Sequence, residues 1–170
     1  MMTGKRRNRK GSTILEFVLV GIPMIFIFIS IVEISRGMWT YHTLAYAVRE
    51  GVRYAAVHGK GCASPNTCQV TIGGITSKIR EAGIGLDAST VTLTFTPASG
   101  SASTDTMANQ ASSTTTWPPS TANSPGQNVK ISAKYPFRTF LAVFWTGAGG
   151  PLNDSGMFYL PASSTAPIQF

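Results

Sequence analysis

The sequence predicts an α+β fold in which a long N-terminal helix, membrane-spanning in its first half, packs on a small antiparallel β-sheet domain. Three observations predict it: an early apolar run without charges, a helical pattern that continues beyond it, and later segments that alternate apolar and polar residues. Only 12% of the 170 residues are charged, whereas about 25% is usual in soluble domains. A membrane segment accounts for this deficit.

The apolar run covers residues 17–32 and contains no charged residue; its extension to 14–34 takes in Glu16 and Glu33. A membrane-spanning helix needs about 20 residues of this kind, so residues 12–35 are predicted to cross a bilayer once. A cleaved secretory signal peptide is the competing interpretation. It is disfavoured because the A-x-A sequence at residues 45–47 lies well past the apolar core.

The basic residues that precede the apolar run indicate its direction. Lysine and arginine stay on the cytoplasmic side of a membrane helix. We therefore expect a cytoplasmic N-terminus in the bacterial inner membrane and a periplasmic C-terminal domain, with exposure at the cell surface after assembly left open. The net charge of +7 comes largely from this block, so nucleic acid is not an expected partner. The block consists of Lys5, Arg6, Arg7, Arg9 and Lys10.

Residues 36–58 are predicted to continue the helix in amphipathic form. One face carries apolar residues at steps of three and four, and Gly59 and Gly61 end the pattern. A single helix over 13–58 and an anchor followed by a separate short helix both fit this periodicity. The residues of the predicted apolar face are Tyr41, Ala45, Val48, Val52 and Ala55.

The remaining residues, 59–170, are predicted to form an extracytoplasmic α+β domain. A helix is expected over 70–82, and strands over 90–96, 129–135 and 156–160. Residues 98–126 are rich in serine and threonine, and their polarity predicts a flexible loop. Trp117 within this loop is interpreted as holding it against the domain.

Cys62 and Cys68 lie in this domain and are predicted to form a disulfide, because a translocated domain meets an oxidising compartment. Two free thiols are the alternative. No further ligand is nearby for a metal. His42 and His58 fall on the predicted helix, and the acidic residues are widely scattered. The sequence therefore predicts no catalytic residues, no cofactor and no small-molecule substrate.

A family resemblance covers residues 6–58. The stretch RRNRKGSTILEF, the apolar run and then VEISRGMWTYHTLAYAVREGVRYAAVHG resemble the TadE-like proteins of tight-adherence (Flp-type) pilus systems. The resemblance implies a pilin-like fold and a role as a minor pilin or pseudopilin. It also implies cleavage by a prepilin peptidase between Gly11 and Ser12, with residues 1–11 as the leader. The implied partners are this peptidase, other pilins, inner-membrane assembly proteins and the lipid bilayer.

Glu16 and Phe17 are the assembly residues that the resemblance implies. Glu16 would be the fifth residue of the processed chain, one helical turn from the new N-terminal ammonium group. A pairing between them, within one subunit or between neighbours, would fix the axial register. The alternative is an interfacial glutamate at a helix start. Phe17 stands where major Flp pilins usually have tyrosine, which points to the minor class. Glu33 is expected to pair with Arg36.

A second function, of another class, stays open at this point. An uncleaved, single-pass membrane anchor could present a binding or adhesin module. It differs from the pilin hypothesis in predicting an intact N-terminus and activity that does not depend on Glu16.

Overall fold

The structure is a computed structural model and describes residues 10–62, 68–140 and 157–170. It divides into two compact units, residues 1–36 and residues 37–170, and each is described separately below. The predicted fold class is confirmed: a long apolar N-terminal helix is followed by antiparallel sheets. The helices are α1 (Lys10–Ala56), α2 (Ile72–Ala82) and α3 (Met107–Gln110), and the strands are β1 (Val70–Thr71), β2 (Thr92–Thr96), β3 (Ser103–Thr106), β4 (Thr116–Trp117), β5 (Asn128–Arg138) and β6 (Met157–Pro167).

The first unit contains the N-terminal part of α1. Its apolar side chains are exposed rather than packed, with Phe17 at 77% and Leu19 at 69%. The helix includes Pro23, and its mean hydropathy reaches 2.6 over 18 residues. It is therefore long and apolar enough to cross a membrane. Among the predicted topology residues, Lys10 begins α1, while Lys5, Arg6, Arg7 and Arg9 lie outside the described residues.

The second unit begins with the C-terminal part of α1, which is buried along one face. The predicted apolar face is wrong at its start, since Tyr41 is 41% exposed while Leu44 and Ala47 are fully buried. Leu44 and Ala47 instead enter the core cluster together with Val48 and Val52. The fully buried apolar positions of this face are Leu44, Ala47, Val48, Val52 and Ala55, each at 1% exposure or less.

A four-stranded antiparallel sheet in the order β3-β2-β5-β6 forms the main β layer. Alternation of apolar and polar residues directs Leu93 and Phe95 of β2 and Ile131 of β5 into the core. The strands β5 and β6 pair along eleven residues, from Asn128 opposite Pro167 to Arg138 opposite Met157. A second sheet consists of β1 and β4. The core thus lies between the sheet, α2 and the buried face of α1.

Residues 98–126 differ from the predicted flexible loop, because they contain β3, α3 and β4. The Thr106 hydroxyl accepts a hydrogen bond from the Asn109 amide at 3.3 Å, which caps α3. Trp117 is 4% exposed and meets Phe95 edge-on, with ring centroids 5.2 Å apart. The tryptophan therefore does hold this segment against the domain, as interpreted from the sequence.

Candidate functional site

The first turns of α1 carry the residues that the sequence analysis assigned to processing and assembly. Gly11 and Ser12 lie in the first turn, and Glu16 and Phe17 follow within the next turn and a half. The first turn contains no acidic residue, and Glu16 is the first acidic residue of the chain. Among these four positions, the helix places Ser12 and Glu16 on the same face, four residues apart.

Phe17 lies on the exposed surface of α1 and reaches along the helix toward Gly21. A Cβ atom on Gly21 would lie 3.9 Å from Cε1 of Phe17, so the ring covers the glycine backbone. Further along the same unit, a shallow groove is lined by Leu15, Val18, Leu19, Ile22 and Pro23. Its lining is entirely apolar. A surface of this kind suits lipid chains or another apolar helix and offers no group for chemistry.

Glu33 and Arg36 form the predicted ion pair near the end of the apolar run. The Arg36 guanidinium donates from Nη2 to Oε2 of Glu33 at 3.1 Å. The glutamate side chain is 9% exposed and the arginine side chain 48%. A buried carboxylate is costly unless a positive charge and hydrogen bonds compensate it. The pair therefore allows an acidic residue at the edge of an apolar segment.

Gly51 sets how closely α1 and α2 approach within the second unit. A Cβ atom at this position would lie 2.7 Å from Cδ1 of Ile79 and closer still to its Cγ1. Small residues recur at four-residue intervals here, namely Ala47, Gly51 and Ala55, and all three are buried. This packing fixes the C-terminal part of α1 in the domain. This contact was not predicted, although the four-residue spacing of small residues was a signal for it in the sequence.

The titratable groups of the domain are held by local structural contacts. The His58 ring lies 4.4 Å from that of Tyr54, and its Nδ1 is 2.6 Å from the Tyr54 carbonyl oxygen. The Asn109 side chain and the Thr106 amide lower the pKa of Asp105, and Ser89 lowers that of Asp87. The hydrogen bond and charge of Glu81 raise the pKa of Lys78. Within the described ranges, no three His, Cys, Asp or Glu side chains gather as metal ligands.

Cys62 and Cys68 are joined by a disulfide, with their Cα atoms 5.5 Å apart, a normal separation for this bond. The bridge closes a short loop just after α1. It lies apart in sequence from Gly11, Ser12, Glu16 and Phe17. Within the described residues, the predicted site positions therefore form two groups: one on the first turns of α1, the other at the start of the domain.

Comparison with known families identifies the segment of α1 that contains Gly11, Ser12, Glu16 and Phe17. The family model of TadE-like proteins matches residues 11–53. The chain carries a TadE-like domain. This domain covers the apolar run and most of the buried face of α1, and it implies a protein related to the assembly of Tad pili. No curated protein and no solved structure matches the chain significantly.

The TadE-like domain lies within α1 and includes residues of both compact units. It begins at Gly11, in the first helical turn, and it ends at residue 53, after Gly51 and Val52 have entered the core. The domain therefore comprises an exposed apolar segment and a segment buried in the folded unit. Residues 54–170 lie outside the match.

Proposed function

We propose that this protein is a minor pilin or pseudopilin of a tight-adherence (Flp, type IVb-like) pilus, processed by a prepilin peptidase after Gly11. The TadE-like domain at residues 11–53 is the observation that carries the proposal. In this proposal α1 spans the bacterial inner membrane once, with residues 1–11 in the cytoplasm and the domain in the periplasm. Other pilins and inner-membrane assembly proteins are its partners, and it has no enzymatic activity.

The exposure of the first unit supports membrane anchoring. Only 6% of the most apolar 18-residue window is buried inside the protein. Exposed apolar surface costs about 25 cal/mol per Å² in water, so lipid or neighbouring apolar helices must cover these side chains. The aromatic residues Trp39 and Tyr46, exposed at 72% and 58%, follow the apolar run, as is typical of a membrane–water interface.

Electrostatics at the start of α1 supports a register role for Glu16. Cleavage after Gly11 would place an ammonium group on Ser12, at the positive end of the helix dipole, which is unfavourable. A carboxylate inside a membrane-spanning segment is costly unless it is paired. Pairing the ammonium group with Glu16, in the same subunit or in a neighbour, relieves both costs. If the ammonium group pairs with Glu16 of a neighbouring subunit, this ion pair would fix the axial offset between the two subunits.

Assembly in the native host tests this role. The variants Glu16→Gln and Glu50→Gln each remove one carboxylate from α1. Glu50 is the matched control because its side chain lies on the partly exposed surface of the domain, where it pairs with Arg53 at 3.9 Å. We expect Glu16→Gln to abolish pilus formation in a deletion strain while the protein remains in the membrane. Glu50→Gln should restore wild-type pili. Normal pili with Glu16→Gln would refute the register role.

Processing is tested by two glycine variants in the same strain. Gly11→Ala places a side chain at the cleavage position and should leave the leader attached, whereas Gly4→Ala, in the middle of the leader, should be processed normally. Equal processing of both variants would contradict cleavage after Gly11. An intact N-terminus in the wild-type protein would favour the alternative function, an uncleaved membrane anchor for a binding or adhesin module.

A further inference from the structure

The exposed face of the four-stranded sheet is rich in hydroxyl groups and carries exposed basic side chains. Alternate residues of each strand contribute to this outer face, while their neighbours enter the core. The outer face comprises Thr104 and Thr106 of β3, Thr92, Thr94 and Thr96 of β2, Asn128, Lys130, Ser132, Lys134, Pro136 and Arg138 of β5, and Met157, Tyr159, Pro161, Ser163, Thr165 and Pro167 of β6.

The register of the strands aligns four hydroxyl groups across the middle of the outer face. Thr104 pairs with Thr94, Thr94 with Ser132, and Ser132 with Ser163. Adjacent strands are about 4.8 Å apart, so this row is roughly 14 Å long. The Thr104 hydroxyl donates to that of Thr94 at 3.0 Å. Because a hydroxyl both donates and accepts, the row offers both functions to a ligand that lies across the strands.

Two lysines flank the hydroxyl row, one on each side. Lys130 lies between Thr96 and Thr165, and Lys134 between Thr92 and Pro161. Both lysines are exposed, and neither takes part in an ion pair within the described part of the chain. They are about 13–14 Å apart along β5. The two charges therefore do not converge on one small anion and instead suit a ligand with repeated negative charges.

Negative charge is missing from the outer face of the described strands. Asp105 is their one acidic residue, and it pairs with Leu93, whose side chain enters the core. Its carboxylate accepts hydrogen bonds from the Thr106 amide and the Asn109 side chain. The lysines thus keep a positive potential that no neighbouring carboxylate on this face neutralises.

The free edge of β6 is protected against pairing with another strand. The Ile168 amide donates to the Gln127 carbonyl at 2.8 Å, and this register continues into β6. Residues 157, 159, 161, 163, 165 and 167 therefore direct their backbone groups outward. Two of these positions are Pro161 and Pro167, which have no amide hydrogen. A ligand is consequently expected on the outer face rather than along the edge.

We propose that this outer face binds an acidic polysaccharide, a carbohydrate polymer that carries carboxylate groups. The hydroxyl row would exchange hydrogen bonds with sugar hydroxyls, and Lys130 and Lys134 would pair with carboxylates. Tyr159, which is 58% exposed, adds an aromatic ring at one end of the face. The proposal does not depend on prepilin processing, so its failure would leave the proposed function standing.

Other occupants fit the face less well. Protein interfaces centre on buried aromatic or apolar residues, whereas the centre here is Ser132 between Thr94 and Ser163. A second copy of the chain would bring lysines against lysines, because an isologous interface joins the same patch twice. Nucleic acid is favoured by a dense basic stripe with stacking aromatic residues, whereas the outer face carries three spaced basic residues, Lys130, Lys134 and Arg138, and one tyrosine, Tyr159.

The test measures binding of the full chain, in neutral detergent micelles, to polygalacturonate. Neutral dextran and duplex DNA are the comparison polymers. The double variant Lys130→Gln/Lys134→Gln removes the two charges, and Lys60→Gln/Arg80→Gln removes two exposed charges from outside the sheet as the matched control. The variant Ser132→Ala removes the central hydroxyl without changing the charge.

We expect wild-type protein to bind polygalacturonate at low salt, more tightly than DNA, and to bind dextran only weakly. The double lysine variant should bind roughly five- to tenfold more weakly and depend less on salt, while the control pair stays close to wild type. Ser132→Ala should weaken binding without changing the salt dependence. The proposal is overturned by absent binding to polygalacturonate, by equal binding to dextran, by tighter binding to DNA, or by an equal loss in the control pair.

Discussion

Gly51 is the position at which one added methyl group tests the packing of α1 on α2. In the variant Gly51→Ala, the new Cβ would lie 2.7 Å from Cδ1 of Ile79, well inside van der Waals contact. Overpacking of a core costs about 1–3 kcal/mol. Alanine regains about 1 kcal/mol in helix propensity, so we expect a net loss of about 1 kcal/mol in the free energy of unfolding.

Gly37→Ala is the matched control for this prediction. It makes the same substitution in the same helix, but its Cβ would lie 3.6 Å from Cζ of Phe137, which is ordinary contact. The propensity gain is common to both variants, so the difference between them, about 1–3 kcal/mol, reports the overpacking alone. Urea denaturation of the full chain in mild detergent, followed by circular dichroism, measures both values.

Coupling to Ile79 identifies the contact responsible. Ile79→Ala removes the side-chain atoms that the new methyl group would meet and leaves a cavity by itself. In a double-mutant cycle, Gly51→Ala should cost less in the Ile79→Ala background than in the wild type. The reasoning is refuted if Gly51→Ala is as stable as Gly37→Ala, or if the two substitutions at residues 51 and 79 are strictly additive.

Three further predictions concern the domain of residues 37–170. Replacing Cys62 and Cys68 together by serine should lower the free energy of unfolding by about 2 kcal/mol, because the bridge, with a sequence separation of 6, restricts the unfolded chain. If both cysteines of the wild-type protein can be alkylated before reduction, they are not paired and the prediction is contradicted. Trp117→Ala should lower the free energy of unfolding by about 3–5 kcal/mol, because it leaves a cavity beside Phe95. Trp39→Ala, at an exposed position, should leave this free energy unchanged. Similar losses for the two variants in urea denaturation would contradict the assigned packing of Trp117. The lowered pKa of Asp105 adds stability above the ordinary value of 3.8 that is lost as the pH falls through the lower folded value, so the Thr106 backbone amide, which donates to the Asp105 carboxylate, should lose protection against hydrogen exchange on acidification in wild type but not in Asp105→Asn. Protection is measured relative to the intrinsic exchange rate at each pH, and an unchanged acid response in the variant would exclude this cause.

Local periodicity was sufficient to predict most helices and strands. The step of three and four residues predicted α2 over 70–82, and it is observed at Ile72–Ala82. Alternation predicted strands over 90–96 and 129–135, which correspond to β2 and the longer β5. These patterns work because burial repeats with the geometry of the element itself. Length and hydropathy likewise predicted the apolar part of α1.

Nonlocal contacts account for what the sequence did not predict. Residues 98–126 read as a flexible loop because their composition is polar, yet the contact of Trp117 with Phe95 and the pairing of β4 with β1 order them. Neither contact leaves a periodic signal. The alignment of hydroxyl groups across the sheet was not predicted either, because Thr94, Ser132 and Ser163 become neighbours only through the strand register.

The residues of the candidate site likewise divide into a pair that local helix geometry predicts and positions whose roles depend on partner molecules. Glu33 and Arg36 pair as predicted because a separation of three residues fixes their proximity on any helix. The roles of Gly11, Ser12, Glu16 and Phe17 concern partners, a peptidase and neighbouring subunits, and remain predictions. The TadE-like domain supports these roles because it begins at residue 11 and contains all four positions.

The intact mass and N-terminal sequence of the protein, purified from its native membrane, test the central claim most directly. The account predicts a chain that begins at Ser12 and lacks residues 1–11, and that regains them when the prepilin peptidase is deleted. A chain that begins at Met1 or Met2 in the presence of the peptidase would contradict the proposed processing and, with it, the assignment as a minor pilin.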